Sequence, residues 1–206
     1  FWLIVAGIVF DFFDGFVARL LHSSSAIGVQ LDSLADVITS GLAPAAVLWQ
    51  VCLQTEPCWL PEGWKLGYGV FVLAAFSALR LAKFNIDETQ TVEFCGLPTP
   101  AGSLLCASLG MLWQQGMLAL SSDGVLLVAV LTSLLLVSPI RMFALKFHGF
   151  GWRGNEVRYL FLLASIVLII ILRTYAIPVI IVLYIVVSAV RWLCMRSGNP
   201  DKAPKA

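Results

Sequence analysis

Seven mostly apolar stretches, at roughly 1–21, 26–53, 65–84, 100–121, 124–141, 158–173 and 175–194, alternate with short polar interruptions along the chain. A helix needs about 20 apolar residues to cross the hydrocarbon of a bilayer, and each stretch reaches or nearly reaches that length. The pattern predicts an all-α, polytopic transmembrane helix bundle. One transmembrane domain is expected over 1–196, followed by a polar tail from Ser197 to Ala206. The opening run has no basic segment before it and no small-residue cleavage site after it, so it reads as a span rather than a signal peptide.

Composition agrees with this reading. Of the 206 residues, 60% are hydrophobic and 12% charged, and the mean hydropathy is +0.92. Soluble domains are about 45–50% apolar and about 25% charged, so a soluble globular domain is excluded, as is disorder. The 13 Lys+Arg and 12 Asp+Glu leave a net charge of +1, which gives no reason to expect a nucleic-acid partner.

The sorting of the bases matters more than their sum. With alternating crossings, Arg19, Arg80, Lys83, Arg141, Lys146, Arg153, Arg158, Arg191, Arg196, Lys202 and Lys205 fall on one side, and only Lys65 and Arg173 on the other. The positive-inside rule makes the first side cytoplasmic, with loops near 22–25, 84–99 and 142–157 and the C-terminal tail. An outer loop, Gln54 to Trp64, carries Pro, Gly and two Trp suited to the interface. Cys52 and Cys58 flank it and could pair in an oxidising compartment, although Cys in membrane proteins more often acts as a small buried hydrophobe. His22 and His148 show no metal-like spacing.

Four acids lie where acids are costly. Asp11 and Asp14 are in the first stretch, and Asp32 and Asp36 in the second. An ionised Asp at membrane depth costs about 2.5–3.5 kcal/mol on insertion scales, so two such pairs need compensation or a function. Asp11, Asp14, Gly15, Ala18 and Arg19 share one helix face, as do Gly28, Asp32 and Asp36. A turn through His22, Ser23, Ser24 and Ser25 would bring the two faces together at the cytoplasmic end. Converging carboxylates repel unless cations lie between them, and hard oxygen ligands suit Mg²⁺ or Mn²⁺. Two such ions serve in-line displacement at phosphorus. Gly15 would let a ligand approach the backbone, and Arg19 offers a planar fork for phosphate oxygens. An ion or proton pathway and inert pairing with Arg19 remain open on spacing alone.

The series Asp11-x₂-Asp14-Gly15-x₂-Ala18-Arg19-x₈-Gly28-x₃-Asp32-x₃-Asp36 resembles the complete signature of the CDP-alcohol phosphotransferase family, with all eight fixed positions at their spacing. The resemblance implies a membrane enzyme in which an alcohol displaces CMP from a CDP-linked lipid, helped by two divalent metal ions, Mg²⁺ or Mn²⁺. It implies Asp11, Asp14 and Asp32 as metal ligands, and Asp36 as the general base that also reaches the second metal. It places Gly15, Ala18 and Arg19 against the CDP-lipid. Ser25, six positions after Arg19, stands where the family has a CDP-lipid contact, with a plain helix N-cap as the alternative. The family also has a helix ahead of the signature that supplies polar residues to the cytidine pocket. That helix is expected to precede residue 1, making eight.

A second stretch, Arg80-Leu81-Ala82-Lys83-Phe84-Asn85 followed by Phe94-Cys95-Gly96-Leu97-Pro98-Thr99-Pro100-Ala101, resembles the family branch that makes phosphatidylserine from CDP-diacylglycerol and L-serine. On that resemblance Arg80, Lys83 and Asn85 are candidates to bind the carboxylate of serine. Topology anchoring by the bases and helix capping by Asn are the alternatives. A further cationic group, Arg141, Lys146, His148, Arg153 and Arg158, would attract anionic lipid head groups or simply set topology. The implied partners are CDP-diacylglycerol, L-serine and the bilayer, and a homodimer is compatible with the sequence. Competing readings keep the chemistry with glycerol 3-phosphate or an inositol phosphate as acceptor, or replace it with an ion-coupled transporter, for which no inverted repeat is visible.

Overall fold

In lipid no water satisfies a free backbone N–H or C=O, so a spanning chain folds into helices that satisfy themselves. The computed structural model describes residues 1–21, 25–59, 66–86, 93–143 and 155–198. Its helices are α1 (Trp2–Leu20), α2 (Ala26–Asp36), α3 (Ala43–Gln54), α4 (Val72–Ile86), α5 (Thr99–Gln114), α6 (Ser122–Leu136), α7 (Glu156–Leu172) and α8 (Ala176–Gly198). A π-helical segment, Val37–Leu42, joins α2 to α3, a 3₁₀ segment, Leu66–Phe71, leads into α4, and another, Arg173–Tyr175, joins α7 to α8. The described helical residues therefore form six uninterrupted runs, where the hydropathy pattern predicts seven helices. The predicted helices 158–173 and 175–194 merge through the 3₁₀ turn, where Arg173 takes φ 49° and reverses the chain.

The π segment has a local cause. In an α-helix the nitrogen of Pro44 would face the carbonyl of Ser40, but proline has no N–H and its ring crowds that carbonyl. A wider turn relieves the conflict, and Ala43 N–H bonds to the carbonyl of Ile38, five residues back. This turn begins directly after Asp36.

Two helices stop short of the expected ends. α5 ends at Gln114 rather than near 121, because Gly116 adopts φ +68° and the N–H groups of Gly116 and Met117 bond to the carbonyls of Trp113 and Leu112. That is a Schellman cap, which favours glycine at the left-handed position. α6 ends at Leu136 rather than 141, since Pro139 has no N–H to offer the carbonyl of Leu135. Leu97 N–H takes that carbonyl at 2.9 Å. Beyond it lies a short ladder that the pattern does not predict, with β1 (Glu93–Cys95) antiparallel to β2 (Arg141–Phe143) and Cys95 opposite Arg141.

The two ends of the bundle are distinct. The ladder gathers the end of α4, the start of α5 and the end of α6, and of the described bases Arg80, Lys83, Arg141, Arg158 and Arg191 lie in helix turns or strands toward this end, while Arg173 lies in the turn at the other. At the opposite end Ser122 N–H bonds to the carbonyl of Glu56, and the Asp123 carboxylate accepts from the N–H groups of Cys58 and Trp59. Tyr175 there donates to the carbonyl of Met117. Cys52 and Cys58 are both free thiols, so the pairing left open by the sequence is not made. Instead the Cys52 thiol faces the carbonyl of Ser122 at 3.6 Å. Lys65, His22, Lys146, His148, Arg153, Lys202 and Lys205 lie outside the described residues, as does the tail from 199 onward.

The core is shared by Leu48 and Val51 of α3, Leu73 of α4, Cys106 of α5, and Val125, Ala129 and Leu136 of α6. Outward faces of α1, α2 and α7 stay apolar and exposed, for example at Leu3, Phe10, Ile27 and Ile170. Such surface is stable only in lipid or against further protein. An aromatic group closes the α7–α8 hairpin on β2, with ring centroids of Tyr184 4.9 Å from Phe143 and 5.9 Å from Phe161. The Tyr184 hydroxyl donates to the carbonyl of Phe143 at 3.0 Å. Tyr184→Phe keeps the rings and leaves that carbonyl unpaired, so thermal unfolding in detergent should show a loss of about 1–2 kcal/mol. An unchanged transition would show that the hydroxyl adds nothing to the hairpin.

Candidate metal centre

Helix α2 begins where it does because Ser25 caps it. Ser25 has extended backbone (φ −125°, ψ 151°), and its hydroxyl oxygen accepts from Gly28 N–H at 3.0 Å. α1 runs toward this cap and α2 away from it. Asp14 stands six residues from the last residue of α1 and Asp32 six from the first of α2, so each is about 9 Å deep from that end. Farther along the same antiparallel pairing, Gly7 faces Thr39: a Cβ on Gly7 would lie 3.4 Å from Thr39 Cγ2. Carboxylate oxygens of Asp11, Asp14 and Asp32 consequently come within 4.8 Å of one another. Three hard anionic oxygens at that spacing form a donor set that fits a divalent cation such as Mg²⁺ or Mn²⁺.

Asp36 does not join that three-way cluster. It stands one turn beyond Asp32, at the point where α2 gives way to the π segment. There it is half-buried, close enough to Asp32, Asp14 and Asp11 for like-charge repulsion and to Arg80 for attraction. The fourth acid is thus set apart from the other three, between them and α4.

The remaining signature positions divide. A Cβ on Gly15 would meet nothing within 4 Å, which leaves the open approach expected beside the carboxylates. Ala18 is half-buried on the same helix. Arg19 belongs to α1, but its side chain is outside the described portion. Ser25 has the capping role given as its alternative.

The candidates on α4 also separate. Arg80 and Lys83 line a pocket of about 370 Å³ with Cys95, Leu136, Ser138 and Pro139, under the β1–β2 ladder. Asn85 is not among its lining residues. Its amide donates to Ser33 Oγ at 2.8 Å and ties α4 to α2. Arg80 is buried, with Nη1 donating to Thr99 Oγ1, its guanidinium 5.8 Å from the centroid of the Phe84 ring, and Nε without an acceptor. Of the further cationic group, Arg158 is buried and donates to Asn155 Oδ1 at 2.9 Å, so it serves the start of α7 rather than an open basic face.

Thr99 is the residue that sequence reasoning passed over, standing as the unspecified position between Pro98 and Pro100. The signal available was a hydroxyl at the first turn of an apolar helix whose preceding residue, a proline, cannot cap it with a side chain. Its placement follows from Gly96, which has φ +76°. The N–H groups of Gly96 and Leu97 bond to the carbonyls of Ile140 and Leu135, fixing the turn on the end of α6.

Comparison with known proteins bears on the same residues. The sequence model of the family described as CDP-alcohol phosphatidyltransferase matches residues 1–144, which include all four acids and the Arg80 pocket up to Pro139. Three similar curated proteins are each named CDP-diacylglycerol–serine O-phosphatidyltransferase. The one from Bacillus subtilis is 33% identical over 71% of this chain and 75% of its own length. The one from Helicobacter pylori is 32% identical over 93% and 78%, and the one from Mycobacterium tuberculosis 35% identical over 98% and 73%.

Proposed function

The chain belongs to the CDP-alcohol phosphatidyltransferase family, and from that membership we infer that it transfers the phosphatidyl group of CDP-diacylglycerol to the hydroxyl of L-serine, releasing CMP, in phospholipid biosynthesis. The observation that carries this reading is the convergence of Asp11, Asp14 and Asp32, with Asp36 set between them and a pocket lined by Arg80 and Lys83. The names of the three relatives support serine as the acceptor.

Divalent metal is general in the family, and Asp11, Asp14 and Asp32, with Asp36 at the margin, are the residues to hold it. Bound there, Mg²⁺ or Mn²⁺ supplies charge neutralisation at the diphosphate. Gly15 and Ala18 leave room for the CDP group beside α1, Arg19 steadies the departing phosphate, and Ser25 borders the entry. Asp36 accepts the proton of the serine hydroxyl as that oxygen bonds to the lipid-proximal phosphorus and the bond to CMP breaks. An aliphatic hydroxyl is a weak nucleophile, so a base within hydrogen-bond reach is needed. Arg80 and Lys83 take the serine carboxylate, Arg80 by virtue of its planar fork. Asn85 contributes indirectly, by holding α4 to α2.

It is a membrane protein: the runs Ile27–Gln54, Gly67–Ile86 and Glu156–Cys194 are each long and apolar enough to cross a membrane. The last of these folds back at Arg173, so its halves, α7 and α8, cross in opposite directions. We read residues 1–196 as one catalytic domain followed by a polar tail, and the carboxylate centre as opening to the cytoplasm of a cell membrane; the clustering of bases toward the ladder end supports that orientation. In that arrangement the acyl chains stay in the bilayer while serine enters from the cytosol.

Purified full-length protein given CDP-diacylglycerol and Mn²⁺ or Mg²⁺ should release CMP only when L-serine is added. Equal release without serine, or release with glycerol 3-phosphate but not serine, would overturn the acceptor assignment. A phosphate-bearing acceptor calls for a dense cluster of bases; among the described residues two, Arg80 and Lys83, line the pocket.

A further inference from the structure

Arg80 is held in an unfavourable position for a cation. It is 8% exposed, and its Nε–H has no acceptor. A buried charged donor left unpaired costs more than a satisfied one contributes, so fold stability does not account for it. Its Nη1 donates to Thr99 Oγ1, a fully buried hydroxyl. Arg80 lines the 370 Å³ pocket and also feels the attraction of Asp36. Freed from Thr99, a side chain of that length would be drawn toward the carboxylates and vacate the pocket wall. Thr99 has little freedom to move in turn, because the backbone ahead of it is bonded at Gly96 and Leu97 to the end of α6.

We propose that Thr99 is a positioning residue for acceptor recognition: by accepting from Arg80 Nη1 it pins the guanidinium at the pocket, where the anionic group of the acceptor docks beside Asp36. The Gly96-Leu97-Pro98-Thr99-Pro100 segment then works as a mount that delivers one hydroxyl to one arginine. This rests on the reading of Arg80 as the acceptor's anion site.

The test is steady-state kinetics of CMP release by full-length Thr99→Val and Thr99→Ser, with acceptor and CDP-diacylglycerol varied separately. Losing a hydrogen bond to a charged group is worth roughly tenfold to a hundredfold. Thr99→Val should therefore raise KM for L-serine at least about tenfold, with KM for CDP-diacylglycerol changed less than about twofold. Thr99→Ser should restore the acceptor KM. Combined with Arg80→Lys, Thr99→Val should add nothing further, because its effect runs through the arginine. A Thr99→Val enzyme with an unaltered acceptor KM, a parallel rise in both KM values, or a failure of serine to rescue would each overturn the proposal. Where Thr99→Val does not fold, Thr99→Ala reads the same split. If wild-type protein uses glycerol 3-phosphate instead of serine, the serine assignment fails separately, and the KM split is read on that anionic acceptor.

Discussion

Asp36→Asn is expected to lower serine-dependent CMP release by about 10²–10⁴-fold, the range that a positioned general base contributes. The amide keeps the shape of the carboxyl but cannot take the proton of the attacking hydroxyl. It also removes one of four like charges from a half-buried site, so the folded state without metal should be no less stable than wild type. Asp14→Asn separates the roles. It takes an oxygen from the three-carboxylate cluster, and its loss should appear first in metal dependence. A ligand that binds only the folded state raises its stability by mass action. Mn²⁺ should therefore raise the unfolding temperature of the wild type, less so that of Asp14→Asn, and EDTA should abolish both the shift and CMP release. An active Asp36→Asn enzyme would remove that residue from the chemistry, and a full Mn²⁺ shift in Asp14→Asn would remove the cluster as the metal site.

Gly96→Ala should have the largest effect on stability of any single-methyl change near the site. The backbone there has φ +76°, which costs a residue with a Cβ roughly 1–2 kcal/mol. The added carbon would run into the carbonyl oxygen of Leu136, a backbone atom that moves only if the end of α6 moves. Overpacking of this kind costs about 1–3 kcal/mol more. A total of roughly 2–5 kcal/mol is expected, read as a lower unfolding temperature and poorer recovery of folded protein from detergent. Whatever folded fraction remains should also show a raised acceptor KM, since Thr99 rides on the same turn. A Gly96→Ala protein with wild-type stability would mean that this turn is not the rigid mount described above.

The membrane bundle, the antiparallel pairing of the first two helices and the facing acids were legible because each depends on order along the chain. Apolar run length reports bilayer crossing, and a spacing of three or four residues reports a shared helix face. The cluster of Asp11, Asp14 and Asp32 follows from those two rules plus a short turn. Less legible were features created by one segment acting on another. The merger at Arg173 looks like a helix break in hydropathy, yet a 3₁₀ turn keeps the helical run unbroken while reversing it. The ends of α5 and α6 depended on Gly116 and Pro139, residues whose effect on backbone hydrogen bonding is invisible to an apolar count.

Within the site the same division holds. Residue order was enough to place four acids on two facing membrane helices, because hydrophobic length and helical period are properties of a segment alone; that they serve an enzyme came from the resemblance of their spacing to the family signature. Folding in three dimensions was needed to set Asp36 apart from the other acids, to send Asn85 to Ser33 rather than to the pocket, and to lay Arg80 against Thr99, 19 positions away. Contacts of that kind depend on where the ladder between residues 93–95 and 141–143 pins the helix ends, and no local periodicity encodes the meeting of two short strands so far apart in the chain.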